Sequence, residues 1–397
     1  MGRRTIEEEL EALFKESRSN VRTRKHHLVP ASYLRRWARD GQLNVTDLSE
    51  SKKTYASAAE TAARVTDFYA IRSEQIDEDE PPPMLMETML AKIEGSVVAP
   101  IDKLIEVGPA GLSMEDTHAI CRFVGFQIQR GRHGRELLTE LSSQAARLFR
   151  TSKSDGSIKK MLRKRGQPTG EKEIAEVREA LNALNDGTID VRAPKAMLIW
   201  LSADAGENAW KFLASRRWMV CHSGTEIVTC DEPVAFVSAS LRQDGALRGI
   251  GLSSAIVFPL DPHHLLVMFH PDMPFDELGM MSELLPSETE EINSVLAWNA
   301  SRWIFERAES HRVQNLWVPP QPQEKLMLTR LPLSEPSNGE VAHFRSRPRV
   351  HPLLPGLKRP VDRWFAEVDR QHFLDVRYNP DAFQEVLIYD WPPGMPW

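Results

Sequence analysis

"RRWMVCHSGTEIVTCDEPVAFVS", Arg216 to Ser238, is where the apolar residues stop recurring every third or fourth position and begin to alternate. It predicts a β-hairpin turning at Ser223-Gly224, a short loop at Asp231-Glu232-Pro233, and a further strand. Downstream, "AIVFPLDPHHLLVMFH", Ala255 to His270, predicts two more strands with Asp261-Pro262 between them. Upstream the period is helical. Met86, Leu90, Ile93, Val97, Ile101 and Leu104 fall at helical spacing, with Pro100 expected to kink or divide the segment. Ser113 opens another helix, which reaches "FQIQRGRHGR", Phe126 to Arg135, where Gly131 and Gly134 are placed to break it. Two tryptophan-bearing helical stretches follow around Trp200 and Trp210. Pro286 and Ser287 then start a closing helix, lined by Ile292, Val295, Leu296 and Trp303 and expected to run to about Ser310. The expected fold is α+β, a helical N-terminal half (84–215) packed on a mostly antiparallel sheet (216–285).

With 397 residues, 41% of them hydrophobic, the chain can bury a sizeable core. Its three cysteines, Cys121, Cys221 and Cys230, are odd in number and widely spaced, which fits neither a disulfide framework nor a zinc ribbon. A reducing, cytoplasmic setting is expected. No apolar run is long enough to span a membrane, and the start "MGRRTIEEELEALFKES" turns acidic where a signal peptide would need apolar residues. That start reads instead as an amphipathic helix over 1–22. The net charge of −6 gives no global attraction to nucleic acid, so such binding would need local basic patches. One is Arg22 to Lys25; the other is Arg147 to Lys172, where Lys and Arg outnumber acids nine to two. "EQIDEDEPPP", Glu74 to Pro83, reads as a surface linker. Between Pro319 and Pro360 stand nine of the 27 prolines, which predicts an extended arm within a C-terminal extension, 311–397. Trp364, Tyr389, Trp391 and Trp397 give the end of that extension large apolar groups that gain from docking on the domain or on a protein partner.

Chemistry concentrates in "TRKHHLVPASYLRRW", Thr23 to Trp37. Adjacent His26 and His27, one turn ahead of a helix started by Pro30, can ligate a divalent metal of unassigned identity, act as general base, or hold an anion when protonated. Asp231, at a strand-end turn stiffened by Pro233, is the distant acid best placed to orient a histidine. Tyr33, Arg35 and Arg130 complete the candidate set as contacts to an anionic ligand or to nucleic acid. Each has a structural alternative. His27 can serve a backbone carbonyl, Tyr33 can pack in the core, Asp231 can cap its own turn, and Arg130 can pair with Glu94. His263 and His264 are discounted, because neighbouring strand residues point to opposite faces. No Walker loop, His-Glu-x-x-His, GxSxG or GxGxxG occurs.

"HHLVPASYLRRW" resembles the leading motif of the bacterial domain-of-unknown-function 4238 family: one or two histidines, then Val-Pro and Tyr-Leu-Arg. "TDFYAI", the helix through Glu94, "FQIQRGRHGR", "TCDEPV", "FPLDPHHLL" and a late helix with Asn293 follow in the family's order, over roughly Arg24 to Ser310. One departure stands out: the family's Asp-Asn-Pro turn is Asp231-Glu232-Pro233 here. His-His-x-Val-Pro is also similar to the catalytic strand of HNH nucleases, although Pro30 starts a helix where those enzymes continue into a hairpin. Two functions are therefore expected as alternatives. One is a histidine-based hydrolase or nuclease acting on an anionic substrate; the other is a non-catalytic module using the basic loop or the aromatic arm.

Overall fold

The computed structural model describes residues 25–49, 52–66, 85–139 apart from 133 and 137, 154–186, 195–237, 250–273 apart from 252, 282–316 and 361–365. The expected N-terminal helix, the acidic linker and the proline-rich arm lie outside the described residues. In chain order the elements are β1 (Lys25–His27), α1 (Ala31–Leu34), β2 (Gln42–Asp47), β3 (Lys53–Ala58), β4 (Arg64–Thr66), α2 (Leu85–Val107) and α3 (Met114–Arg130). Then come α4 (Asp155–Lys164), α5 (Glu171–Asp186) and α6 (Lys195–Ala214). The remainder is β5 (Arg217–Ser223), β6 (Thr229–Cys230), β7 (Ala235–Val237), β8 (Ala255–Asp261), β9 (His264–Phe269), β10 (Ser282–Leu284), α7 (Pro286–Asn299), β11 (Trp303–Arg307) and α8 (Arg312–Asn315). The fold is α+β with mostly antiparallel pairing. One sheet has the order β10-β5-β9-β8-β7, a second β3-β2-β11-β6, and β1 pairs with β4 as a separate ribbon. The one parallel pair described is β10 with β5.

Strand alternation divides the interior into two cores. From β5, Trp218 and Val220 enter one core while Met219 and Cys221 enter the other. β11 does the same, with Trp303 and Phe305 on one side and Ile304 on the other. The first core is covered by α1, α2, α3 and α6, and the second by α7 and the segment 361–365. The middle of the five-stranded sheet is thus buried on both faces, which is why β8 and β9 read as nearly continuous apolar runs.

Three expectations need correction. First, β5 and the strand after it form no hairpin, since β5 pairs with β9 whereas β6 pairs with β11 in the other sheet. The physical reason is Asn293 on α7. Its Oδ1 accepts from the Val228 amide at 2.9 Å and its Nδ2 donates to the Glu226 carbonyl at 3.0 Å, which draws the chain across to the second sheet. Second, the closing helix ends at Asn299 and Trp303 lies on a strand. Residues 303–307 read as a continuation of the apolar helix face, but β2 offers them a full antiparallel register from Trp303↔Asp47 to Arg307↔Leu43. Third, Trp200 and Trp210 belong to a single helix, α6.

α3 starts at a complete capping box formed by Ser113 and Asp116 and stops at Gly131. It lies close against α6, because a Cβ built on Gly125 would stand 2.7 Å from both the Gly206 carbonyl oxygen and the Ala209 methyl. Between β1 and β2, Asp40 (φ 49°) and Gly41 (φ 75°) make a left-handed two-residue turn that leads into β2. Among the described residues no helix is long and apolar enough to cross a membrane.

Candidate functional site

β1 is three residues long, yet it holds both histidines of the opening motif. It pairs with β4 so that His26 faces Val65 and His27 faces Arg64 in register. Alternation then separates the two rings. His26 is fully buried, its Nδ1 3.4 Å from Glu87 Oε2 on α2. His27 is half-buried, and its Nε2 lies 2.9 Å from the Glu60 carbonyl oxygen and 2.9 Å from Arg64 Nε.

One ring nitrogen cannot serve both neighbours. Either Nε2 carries the proton and donates to the Glu60 carbonyl, which leaves Nδ1 a lone pair, or Nε2 accepts from Arg64 and Nδ1 is protonated. Burial depresses the His27 pKa below the ordinary histidine value. The Glu60 carbonyl opposes that shift and the nearby Arg64 charge adds to it. A neutral imidazole is therefore the resting form at neutral pH. Arg35 reaches the same place from α1's C-terminal side, its Nε 2.8 Å from Glu60 Oε1. Glu60 thus lies between His27 and Arg35, and Arg64 reaches the His27 ring, two guanidiniums beside one neutral imidazole.

Arg130, the last residue of α3, lies behind this rim. It is 2% exposed; its Nη1 donates to Glu94 Oε1 at 2.7 Å, and its Nη2 donates to the His27 carbonyl. The sequence admits either anion contact or pairing with Glu94 for Arg130. The guanidinium is paired with Glu94 and buried, so it acts on His27 through the backbone by tying β1 to α2 and α3. One turn earlier on the same face, Gln127 is 3% exposed, and among the described residues neither its Oε1 nor its Nε2 has a hydrogen-bond partner.

Two candidates go elsewhere. Tyr33 is buried, its hydroxyl 2.8 Å from Thr229 Oγ1 and donating to the Pro259 carbonyl at 2.8 Å, while its ring stacks on Phe258 at 5.3 Å. It is buried in the core. Asp231 caps the start of β11: Oδ1 accepts from the Ser301 amide at 2.8 Å and Oδ2 from the Arg302 amide at 3.0 Å. This is neither the local turn nor a contact to histidine, but a clamp between segments 70 residues apart. Burial, reinforced by the neighbouring Glu232 charge, pushes its pKa up to about 7 against the lowering effect of the Arg302, Ser301 and Trp303 amides. The same turn does approach α3, since a Cβ on Gly131 would stand 2.7 Å from Glu232 Cδ.

Sequence reasoning missed Arg64 and Glu60, which carry no motif and reach His27 only through strand pairing and a turn. It also missed Gln127, for which a signal existed: an amide three residues before Arg130 in an otherwise apolar stripe. A third omission is an imidazole cluster. His263 lies in the turn between β8 and β9 and not on a strand, so alternation does not part it from its neighbours. Ring centroids of His222 and His264 are 5.3 Å apart, and those of His222 and His263 are 6.5 Å apart. Among the described residues no three His, Cys, Asp or Glu side chains are grouped so as to hold a metal ion.

Comparison with known proteins agrees with the leading motif. No curated protein matches the chain, and no solved structure does. A family model described as "Protein of unknown function (DUF4238)" matches residues 25–310, from the first residue of β1 to just beyond β11, and so takes in every element that builds the His27 rim. With that share of its length matched, the chain belongs to the DUF4238 family.

Proposed function

We propose that the chain is a hydrolase of anionic esters, phosphodiesters first among them, with His27 as general base and Arg64 and Arg35 as the anion grip. The observation that carries this reading is the competition at His27 Nε2 between the Glu60 carbonyl and Arg64, each at 2.9 Å. An anionic group at the rim draws Arg64 onto itself. Nε2 is then left to donate to Glu60, and the Nδ1 lone pair takes a proton from water as the water oxygen bonds to phosphorus; the ester P–O bond breaks, and the departing alkoxide takes that proton back from His27 Nδ1. The Arg35–Glu60 pair is 60% and 50% exposed, so exchanging Glu60 for a substrate oxygen costs little. Glu94 and Arg130 hold the His27 backbone in place, and His26 with Glu87 fills the space behind it. The three cysteines are free and buried, with Cys121 and Cys221 pushed up to about 12 by burial, which favours a reducing, cytoplasmic setting.

The test is hydrolysis of bis(p-nitrophenyl) phosphate by wild type, His27→Ala and Arg64→Ala, each with chelator and with added Mg2+ or Mn2+. Loss of at least about a hundredfold in His27→Ala is expected from removing a general base. Equal rates in wild type and His27→Ala would end the proposal. A second reading, a non-catalytic nucleic-acid module, is favoured by one observation. Lys159, Lys160, Arg163, Lys164 and Arg165 are all exposed on or just after α4, whose apolar side, Ile158 and Leu162, packs with Ile174 of α5. In that case reversing Lys159, Lys160 and Arg163 to Glu abolishes retention of DNA or RNA and flattens its salt dependence, while His27→Ala changes neither.

A further inference from the structure

His222 on β5 and His264 on β9 are directly opposite each other in an antiparallel pair. Their rings meet edge to face with centroids 5.3 Å apart. Each ring has an acid at its inner nitrogen: His264 Nδ1 is 2.9 Å from both Asp261 carboxylate oxygens, and His222 Nδ1 is 3.6 Å from Glu283 Oε1. Asp261 is itself held by the amides of His263 and His264, at 2.7 and 2.9 Å. At His264 the carboxylate that accepts the Nδ1 proton fixes the tautomer and leaves the lone pair on Nε2, while Glu283 lies beyond hydrogen-bond distance of His222 and supplies nearby negative charge. Both side chains are open to solvent, 44% exposed for His222 and 21% for His264.

The spacing of the two rings suits two imidazole ligands on one ion. A metal bound about 2.0–2.1 Å from an imidazole nitrogen lies roughly 3.2 Å from the ring centroid, so two rings at a tetrahedral angle have centroids about 5 Å apart. The observed 5.3 Å matches that spacing. The His222–His263 spacing of 6.5 Å exceeds the largest separation, about 6.4 Å, that one ion can bridge, and His263 Nδ1 is 2.9 Å from the Ser223 carbonyl. We propose that His222 and His264 chelate one divalent transition-metal ion of the zinc, nickel or copper type, with water completing its coordination. Imidazole ligands select this class over Mg2+ and Ca2+, and the charges of Asp261 and Glu283 offset the ion's. The site is separate from the His27 rim. It lies at the end of β5 beside β10, whose Glu283 carbonyl receives Arg363 of the docked 361–365 segment.

The full-length chain, stripped of metal by chelator, is titrated with Ni2+ and separately with Mg2+ by calorimetry. Expected is one saturable Ni2+ site, weakened at least tenfold in His222→Ala and in His264→Ala, weakened about tenfold in Asp261→Asn through loss of the orienting carboxylate, and unchanged in His311→Ala; Mg2+ gives no binding. His222→Ala, the more exposed position, carries the result if His264→Ala melts early. Absence of a saturable Ni2+ site in wild type, or equal affinity in wild type and His222→Ala, overturns the assignment.

Discussion

Asp231 and His27 shift the pH dependence of stability with opposite signs. The Asp231 pKa is raised to about 7 in the fold, so the folded chain holds a proton that the unfolded chain releases; its stabilising contribution is full below the ordinary carboxylate range and is lost as pH rises toward 7. The His27 pKa is lowered, so the unfolded chain takes up the proton first, and stability is lost as pH falls through the ordinary histidine range. Melting temperatures between pH 4 and 7.5 should separate them. Asp231→Asn improves relative to wild type as pH rises, and His27→Gln improves relative to wild type as pH falls. A constant offset for either variant would contradict the corresponding shift. Gln127 offers a further measurement, because a buried amide with no partner among the described residues carries a desolvation cost. Gln127→Leu should gain about 1–2 kcal/mol in urea unfolding. A loss would mean that a bound water or ligand satisfies that amide. None of these three environments is written in the local sequence, since each depends on which distant backbone or side chain arrives beside the group.

At the level of elements, the ribbon β1–β4 is held to the helices by the Arg130 fork. Removing it in Arg130→Ala leaves Glu94 and the His27 carbonyl uncompensated and should cost about 3 kcal/mol by denaturant titration, discounted little because Arg130 is 2% exposed. Gly125→Ala should destabilise by about 1–3 kcal/mol, since its methyl meets the Gly206 backbone on α6 and the two helices must separate. Element types were largely legible: the periodicity of α2, the capping box of α3 and the paired runs β8 and β9 all announce themselves. What was misread are partners and ends. The hairpin expected at Ser223-Gly224 fails because Asn293 claims the Glu226 and Val228 backbone groups, and the helix extended to Ser310 fails because β2 pairs with residues 303–307.

For the molecule as a whole, the C-terminal extension is in part structural. Trp364 and Phe365 are buried in the second core, Trp364 meets Phe269 edge to face at 5.7 Å, and the Val361 amide donates to Glu291 at 2.9 Å. Trp364→Ala should therefore cost about 3–5 kcal/mol, and a chain ending at residue 316 should melt earlier than full length. An unchanged melting temperature in the truncated chain would exclude a structural role for 361–365. The sequence by itself determined the α+β class, the family and the type of most elements, because hydrophobic period, caps and turn residues act within a few positions of one another. Only the tertiary structure decided which strands share a sheet, that Tyr33 and Asp231 serve the framework, and that Arg64 and Glu60 meet His27. Those outcomes rest on hydrogen bonds and buried charges between segments far apart in the chain, 226 residues for Tyr33 with Pro259 and 255 for Asp47 with Arg302, and no local pattern encodes such a pairing.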